Sequence, residues 1–268
     1  MPASLPTPAA PAQDVTRSVL SIPAFRRLWN AMVFSSLGDW LGLLATTAMA
    51  QQLSGGSYTT ANFAIAGVFI ARLLPAVFLG PIAGVIADRL DRRKLMVSAD
   101  VMRAALYISI PIVNTYFWLY TAMILVECLT LFWSPAKEAT VPNLVGKEKL
   151  ENANQVSLLA AYGTAPIAAI LFSLLTLFAN AIESLFPFSI GGSIDIALYV
   201  NAASFAFAAI TIWGLKEIPK GAAAKKAKDE GVLKSLHDGW KSVSQTKIVR
   251  GLVVGMIGAF FAAGAVIG

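Results

Sequence analysis

Residues 84–94 read GVIADRLDRRK, in which six of the eleven residues carry a charge. On either side lie apolar runs, at 60–87 and 95–113, that are long enough to cross the roughly 30 Å hydrocarbon core of a bilayer as helices. Charges are costly inside hydrocarbon, so a dense charged stretch between two such runs is predicted to be a short loop at a membrane surface. The chain is therefore predicted to cross a membrane on both sides of this loop.

The composition agrees with a protein whose main solvent is lipid. Hydrophobic residues make up 57% of the chain and charged residues 13%, and the mean hydropathy is +0.68. The 21 Lys and Arg exceed the 15 Asp and Glu, but the basic residues cluster between apolar runs, so we predict no nucleic-acid partner. With one cysteine, Cys128, and one histidine, His237, an internal disulfide and a zinc site are excluded, and we predict no metal and no cofactor.

Seven apolar runs of membrane-spanning length occur along the chain. Backbone groups inside hydrocarbon must be paired within each segment, so the predicted fold class is an all-α, polytopic membrane protein. The runs lie at 29–52, 60–87, 95–113, 118–135, 154–182, 196–215 and 248–268.

The connecting segments alternate in charge. Three connecting segments contain no Lys or Arg, at 53–59, 114–117 and 183–195. The three segments that alternate with them are basic, at 88–94, 136–153 and 216–247. By the positive-inside rule the basic segments and the N-terminus face the cytoplasm of a bacterial inner membrane. The predicted domains are a disordered cytoplasmic tail and pre-helix at 1–27, a six-helix transmembrane domain at 28–215, a cytoplasmic linker with an amphipathic helix at 216–247, and the start of a seventh transmembrane helix at 248–268.

Six spans, a long basic linker and the opening of a seventh span match one half of a transporter built from two six-helix halves. The stretch at 84–94 resembles the major facilitator superfamily signature at this loop, G-x-L-a-D-R-x-G-R-[RK], with Asp91 where glycine is usual. The resemblance implies that the chain is the N-terminal half of such a transporter, cut off in its seventh helix, and that the missing C-terminal half is its partner. It also implies a cytoplasmic gate formed by Gly84, Asp88, Arg89, Asp91, Arg92 and Arg93.

Two details of this gate are predicted from residue chemistry. Asp88 at the end of the second span is expected to pair with Arg92 or to face the N-terminus of a neighbouring helix. Gly80 and Gly84 form a small-xxx-small face that is expected to admit close packing of another helix.

Three charged residues, Asp39, Arg72 and Glu127, lie near the middle of predicted spans, where a charge points to a partner or to a water-filled cavity. Two interpretations remain open. Either Asp39 or Glu127 neutralises Arg72 in a buried pair that fixes helix packing, or one of the carboxylates, with Asp39 preferred, exchanges protons as the transporter changes sides.

Each of the two acidic residues belongs to a polar helix face. The family resemblance implies that the first and fourth helices, and hence these faces, line the central cavity. The faces are Ser35, Asp39, Gly42 and Thr46 in the first span, and Tyr120, Met123, Glu127, Thr130 and Ser134 in the fourth.

Residues 161–166, AYGTAP, partly resemble the antiporter motif of superfamily exporters, G-x-x-x-G-P-x-x-G-G. Gly163 and Pro166 are retained, whereas alanines stand at the terminal glycine positions. The alternative interpretation is a plain proline kink in the fifth helix.

Two passages, at 25–40 and 134–154, resemble the bacterial drug-exporter branch that includes macrolide and siderophore effluxers. That resemblance implies proton-coupled efflux of an amphipathic organic solute by alternating access, with protons, a small-molecule substrate and membrane lipid as partners. An importer of the same fold and a passive membrane anchor are the alternatives. From residue chemistry alone, Pro135 and Pro142 are predicted to end the fourth helix.

The run at 132–143 also resembles actinobacterial chains in which a transporter-like domain precedes a thymidylate kinase domain. Residues 1–268 contain no phosphate-binding loop and no nucleophile beside a base. Any catalysis is therefore expected beyond Gly268.

Overall fold

The computed structural model describes residues 19–185 and 192–218 together with Gly251 and Gly255, except for the side chains at 81, 82, 85, 86, 88 and 182–185. The chain divides into two compact units, Met1–Gly221 and Ala222–Gly268. The regular elements of the first unit that the structure describes are helical, with a short 3-10 helix at Lys147–Lys149. Its long helices are α1 Pro23–Leu53, α2 Tyr58–Arg89, α3 Arg92–Val113, α4 Tyr116–Val145, α5 Leu150–Leu185 and α6 Ser193–Trp213.

Five stretches among the described residues are long and apolar enough to cross a membrane, which confirms the predicted all-α membrane class. Helix α1 is not one of them, because Ser35, Ser36 and Asp39 lower the hydropathy of its middle. The predicted linker helix and seventh span, at 216–247 and 248–268, fall outside the described residues apart from 216–218, Gly251 and Gly255. The five stretches are Tyr58–Gly80, Arg92–Val113, Tyr116–Val145, Lys147–Ala181 and Ser193–Trp213.

Short turns join the first four helices. Between α1 and α2 the chain reverses at Gly55 and Gly56, whose φ angles of 62° and 87° are conformations that glycine adopts without strain. Between α3 and α4 it reverses at Asn114, with φ 48°, a left-handed conformation that asparagine tolerates. Thr115 then caps α4, because its side chain accepts a hydrogen bond from the backbone N–H of Trp118 at 3.3 Å.

Helix α4 continues through Pro135 and Pro142 to Val145, so the prediction that these prolines end the helix is wrong. A proline removes only its own N–H and one helical hydrogen bond, and the neighbouring turns can keep the others. The helix ends instead at Val145, because the next residue, Gly146, has a φ of 77° and leaves the helical region. The N–H of Gly146 donates to the carbonyl of Pro142 at 3.2 Å.

The helices form a closed sequence of contacts in which α1 packs on α6, α6 on α3, α3 on α4, α4 on α2 and α2 on α1. Helix α5 lies against α1 and α6. One apolar cluster includes Phe25, Met96 and Trp133, and a second includes Met49 and Phe205. Since lipid is as apolar as these side chains, close packing and polar contacts hold such helices together.

Helices α2 and α5 also present large apolar side chains outward. An apolar surface of this kind suits hydrocarbon or another apolar helix. More than half of each of the following side chains is exposed: Phe63, Ile70, Val77 and Phe78 of α2, and Leu158, Ile170, Leu174, Leu177 and Phe178 of α5.

Candidate functional site

A group of polar and charged side chains lies inside the bundle. Each of the five helices in the closed sequence of contacts contributes to it, so the site is built by helix packing and by no single helix. We call it the polar cluster, which comprises Ser35 and Asp39 of α1, Arg72 of α2, Asp100, Arg103 and Tyr107 of α3, Glu127, Thr130 and Trp133 of α4, and Asn201 and Ser204 of α6.

Arg103 lies at the centre of the polar cluster, and its side chain is 0% exposed. Its guanidinium forms a close salt bridge with Asp100, which is equally buried. Nη1 of Arg103 also lies 3.5 Å from Oδ1 of Asp39. The hydroxyls of Ser35 and Thr130 accept hydrogen bonds from the same guanidinium at 3.3 and 3.4 Å. A buried charge that is held by anions and hydrogen bonds costs far less than a bare one.

Aromatic side chains enclose the pair of Arg103 and Asp100. The Cζ atom of Arg103 lies 4.5 Å from the ring centroid of Phe205 and 5.3 Å from that of Trp133, within the range of a cation–π interaction. The indole N–H of Trp133 donates to Oδ2 of Asp100 at 3.1 Å. Both carboxylate oxygens of Asp100 are therefore engaged inside the bundle.

A second, looser ion pair joins α2 to α4. Nη2 of Arg72 and Oε2 of Glu127 are 4.0 Å apart, and the two side chains are 17% and 21% exposed. Nη1 of Arg72 is buried without a hydrogen-bond partner among the residues that the structure describes. Arg72 is also close enough to Asp39 and Tyr107 to interact with them electrostatically. The two ion pairs thus belong to one electrostatic group.

The three charged residues predicted for the site, Asp39, Arg72 and Glu127, all lie in the polar cluster. Arg103 is the ion-pair partner of Asp39, whereas Glu127 pairs with Arg72. Asp100 and Arg103, which are three residues apart inside the third predicted span, were not predicted as site residues. The rule that a charge within a span marks a candidate site applies to both of them.

The polar face of α1 is directed largely into the bundle, toward α3 and α6, and its expected place on the central cavity stays a prediction. Ser35 and Thr46 are 1% and 0% exposed. A Cβ atom added at Gly42 would lie 2.4 Å from the hydroxyl oxygen of Tyr107, so glycine leaves room for the Tyr107 side chain, which reaches from α3 to α1. Asp39 is the exception, because 31% of its side chain is exposed.

The polar face of α4 is likewise packed against its neighbours. The hydroxyl of Tyr120 donates to the carbonyl of Ala64 in α2 at 3.2 Å, and Met123 is fully buried. Within the described ranges, no group of three His, Cys, Asp or Glu side chains is arranged to hold a metal ion.

The charged loop that resembles the gate signature is bonded to two other helices of its own unit. Asp91 caps α3, because its carboxylate accepts a hydrogen bond from the backbone N–H three residues later at 3.1 Å. Nη1 of Arg92 donates to the carbonyl of Ala139 in α4 at 3.0 Å. Arg93 donates to the carbonyl of Trp213 in α6 and lies 5.4 Å from the centroid of that ring. These contacts fasten the loop to α4 and α6.

Other predicted gate residues lie on the preceding helix. No atom among the described residues approaches within 4 Å of a Cβ added at Gly80 or Gly84, other than those of the nearby helical backbone, so the close packing expected there is absent from the described part of the chain. Arg89 is the last residue of α2. The side chain of Asp88 lies outside the description, and its pairing with Arg92 stays a prediction.

The sequence profile of a family described as transmembrane secretion effector matches residues 15–268. The chain belongs to this family of MFS-type transporters. It is therefore a multi-pass membrane protein of the transporter class that its loop signature resembles.

Three relatives illustrate the family. The uncharacterised MFS-type transporter YfiS of Bacillus subtilis is 27% identical over 206 residues, which cover 75% of this chain and 43% of YfiS. Macrolide efflux protein A of Streptococcus pyogenes is 26% identical over 232 residues, or 83% of this chain and 52% of that protein. The putative bacilysin exporter BacE of Bacillus amyloliquefaciens is 25% identical over 197 residues, or 72% and 44%. The chain thus spans about half the length of these curated relatives.

In this MFS-type transporter the antiporter-like residues Gly163 and Pro166 lie within α5, which continues through both. The indole N–H of Trp40 donates to the carbonyl of Ala161 at 2.8 Å, in the turn that precedes the proline. Pro166 lacks the N–H that would bond to the carbonyl of Tyr162, and Trp40 donates to the carbonyl one residue earlier in the same turn. Because Trp40 follows Asp39 directly, α1 joins the polar cluster to this turn.

Proposed function

We propose that this MFS-type transporter exports an amphipathic organic solute by alternating access and is driven by proton entry. The names of two relatives, macrolide efflux protein A and the putative bacilysin exporter BacE, support export as the direction. An importer of the same fold is the alternative. A downstream thymidylate kinase domain has only the sequence resemblance at 132–143 in its favour.

The charge imbalance of the polar cluster carries the proposal of proton coupling. Three carboxylates, those of Asp39, Asp100 and Glu127, face two guanidiniums, those of Arg72 and Arg103. With all five groups ionised, one negative charge is left without a partner inside a membrane bundle, where such a charge is expensive. Uptake of one proton removes that charge, and its release restores it.

Asp39 is the proton carrier in this proposal. Asp100 is sealed from solvent and both of its oxygens are engaged, which makes it unsuitable for rapid proton exchange. Asp39 is 31% exposed, and its nearest guanidinium nitrogen is 3.5 Å away. Glu127, which is 21% exposed and 4.0 Å from Arg72, is the second candidate.

Movement of α1 follows from a change of charge at Asp39. Protonation of Asp39 removes its attraction to Arg103 and loosens α1 from α3. Trp40 carries the movement to α5 through its hydrogen bond to Ala161. We propose that this shift biases the solute pathway toward one side of the membrane, and that Gly163 and Pro166 let α5 bend with it.

The charged loop serves as the cytoplasmic gate in this proposal. Asp88 and Arg89 meet the C-terminal half, while Arg92 and Arg93 hold the loop to its own unit. The alternation of basic and uncharged segments supports a cytoplasmic N-terminus and insertion into a bacterial inner membrane. The open flank at Gly84 supports contact with a further helix.

The test uses the intact protein in proteoliposomes with an imposed pH gradient and a panel of labelled amphipathic solutes. Gradient-driven solute movement and proton flux are measured together. We expect Asp39→Asn to abolish proton-driven movement while solute exchange at equal pH continues, because exchange needs no change of charge at Asp39. The matched control is Glu138→Gln, which neutralises a carboxylate that is 70% exposed and outside the polar cluster.

Two results contradict the proposal in different ways. If Asp39→Asn and Glu127→Gln both keep proton-coupled transport, neither carboxylate is the proton carrier. If the wild-type protein moves no solute and no protons under any gradient, the membrane domain is a passive anchor.

A further inference from the structure

Arg103 is shared unequally between two carboxylates. It forms a close salt bridge with Asp100, which precedes it by one helical turn, while Asp39 on another helix stays 3.5 Å from the nearest guanidinium nitrogen. Charge-assisted hydrogen bonds between arginine and carboxylate are typically about 2.7–2.9 Å long. Asp39 is therefore near the guanidinium without the tight contact that Asp100 has.

Asp100 is held in this position from the opposite side. The indole N–H of Trp133 donates to its Oδ2 at 3.1 Å, and Oδ1 faces Arg103. Asp100 is 0% exposed and Trp133 is 7% exposed. Asp100 thus has little freedom to leave Arg103.

An arginine fork can bind one carboxylate through two parallel hydrogen bonds, which strongly favour the ionised carboxylate. Without Asp100, the guanidinium of Arg103 is free to turn both terminal nitrogens toward Asp39. We propose that Asp100, held by Trp133, competes with Asp39 for Arg103 and thereby leaves Asp39 able to take up a proton. Asp100 and Trp133 act as positioning residues, and this inference rests on the proposed role of Asp39 in proton coupling.

The other groups around Asp39 are either uncharged or already paired. The competition for Arg103 is therefore the contact of Asp39 that a substitution can change. Arg72 is already shared with Glu127, and the side chains that α6 presents to α1 at Gly38 and Gly42 are Asn201, Ser204 and Phe205, all uncharged. Among the residues that the structure describes, the titratable and charged groups that act on Asp39 are Arg103, Asp100 and Tyr107 of α3, Arg72 of α2 and Glu127 of α4.

The experiment measures protonation of Asp39 directly in the intact protein in lipid nanodiscs. A carbodiimide reacts with protonated carboxyl groups, and mass spectrometry of the peptide that contains Asp39 gives its labelled fraction at each pH. For Asp100→Asn we expect the labelling midpoint to move to lower pH by about one unit, a tenfold loss of proton affinity at Asp39, because Arg103 then closes on Asp39 and a neighbouring negative charge is removed.

A second variant keeps the charge of Asp100. Trp133→Phe retains an aromatic ring beside Arg103 and removes only the N–H donor, so we expect a smaller shift in the same direction. The matched control is Trp118→Phe, the same substitution on the same helix, which removes a 2.8 Å hydrogen bond to Ser109 outside the polar cluster. We expect no shift of the Asp39 midpoint in this control.

The outcomes distinguish a positioning role of Asp100 and Trp133 from a role in stability alone. A merely structural role lowers the melting temperature without moving the midpoint, so folded variants with an unchanged midpoint, or one at higher pH, overturn the inference. If Asp100→Asn does not fold, Trp133→Phe decides alone. A flat labelling profile of Asp39 in the wild-type protein overturns the proposed proton site itself, which is a different result from an unshifted midpoint.

Discussion

The Arg103→Met substitution removes the buried charge at the centre of the polar cluster and keeps a long, flexible side chain. Arg103 and Asp100 are both 0% exposed, so the substitution leaves a buried carboxylate without its close partner. Breaking a buried ion pair in this way costs about 3–5 kcal/mol of stability. The hydroxyl of Thr130 already donates to the carbonyl of Val126 at 3.0 Å, so the loss of its contact with Arg103 adds little.

The assay is the melting temperature of the purified protein in detergent. At roughly 2–4 °C per kcal/mol, the expected loss lowers the melting temperature by about 6–20 °C. The double variant Arg103→Met with Asp100→Asn removes the unpaired charge and keeps an acceptor for Trp133. We expect it to regain most of the loss, because replacing a whole buried pair is often close to neutral.

The comparison of the single and double variants shows whether the loss of stability comes from the unpaired charge of Asp100. A single variant that loses less than about 1 kcal/mol would show that Asp100 is not left as an isolated buried charge. A double variant no more stable than the single one would show that the loss comes from packing and has no electrostatic origin. Either result refutes the reasoning.

Three further predictions concern contacts outside the ion pairs. Gly42→Ala places a methyl group 2.4 Å from the hydroxyl oxygen of Tyr107 and is expected to cost about 1–3 kcal/mol in the same melting assay, whereas Gly84→Ala meets no such atom within 4 Å and is expected to melt like the wild type. Trp40→Phe removes a 2.8 Å hydrogen bond to α5 and is expected to cost about 0.5–1.5 kcal/mol. Amide hydrogen exchange should then rise in the turn before the proline of α5, and unchanged exchange there would contradict the link. Asp91→Ala removes the N-cap of α3 and is expected to lower the stability by about 0.5–2 kcal/mol. Asp91→Asn keeps a side-chain acceptor at the N-cap and is expected to keep the wild-type stability.

The positions of the membrane helices could be predicted well because the length of an apolar run is a local property. The runs predicted at 60–87 and 95–113 fall within α2 and α3. The end of α4 was predicted at 135 but lies at Val145. Local rules give a proline two outcomes, a helix end or a kink inside a continuing helix, and the contacts around the helix select between them.

The candidate site could be predicted in part. Asp39, Arg72 and Glu127 were found because a charge inside an apolar span is exceptional. The pairing of Asp39 with Arg103 was not found, because the two residues are on different helices and 3.5 Å apart only after packing. Arg92 and Arg93 were predicted as members of the gate, but their bonds to α4 and α6 were not predicted, because those helices lie far away in the sequence.

The amino-acid sequence by itself determined that this protein is an all-α membrane protein with a charged loop between its second and third helices. Hydrophobic length and the need to pair backbone groups in lipid act within each segment and require no knowledge of its neighbours. Only the tertiary structure decided which charges share the interior and that Arg103 stands between Asp100 and Asp39. The reason is physical: helical periodicity gives a side chain its direction around the axis of its own helix, whereas its partner depends on how the helices pack. Gly42 of α1, for example, leaves room for the Tyr107 side chain of α3.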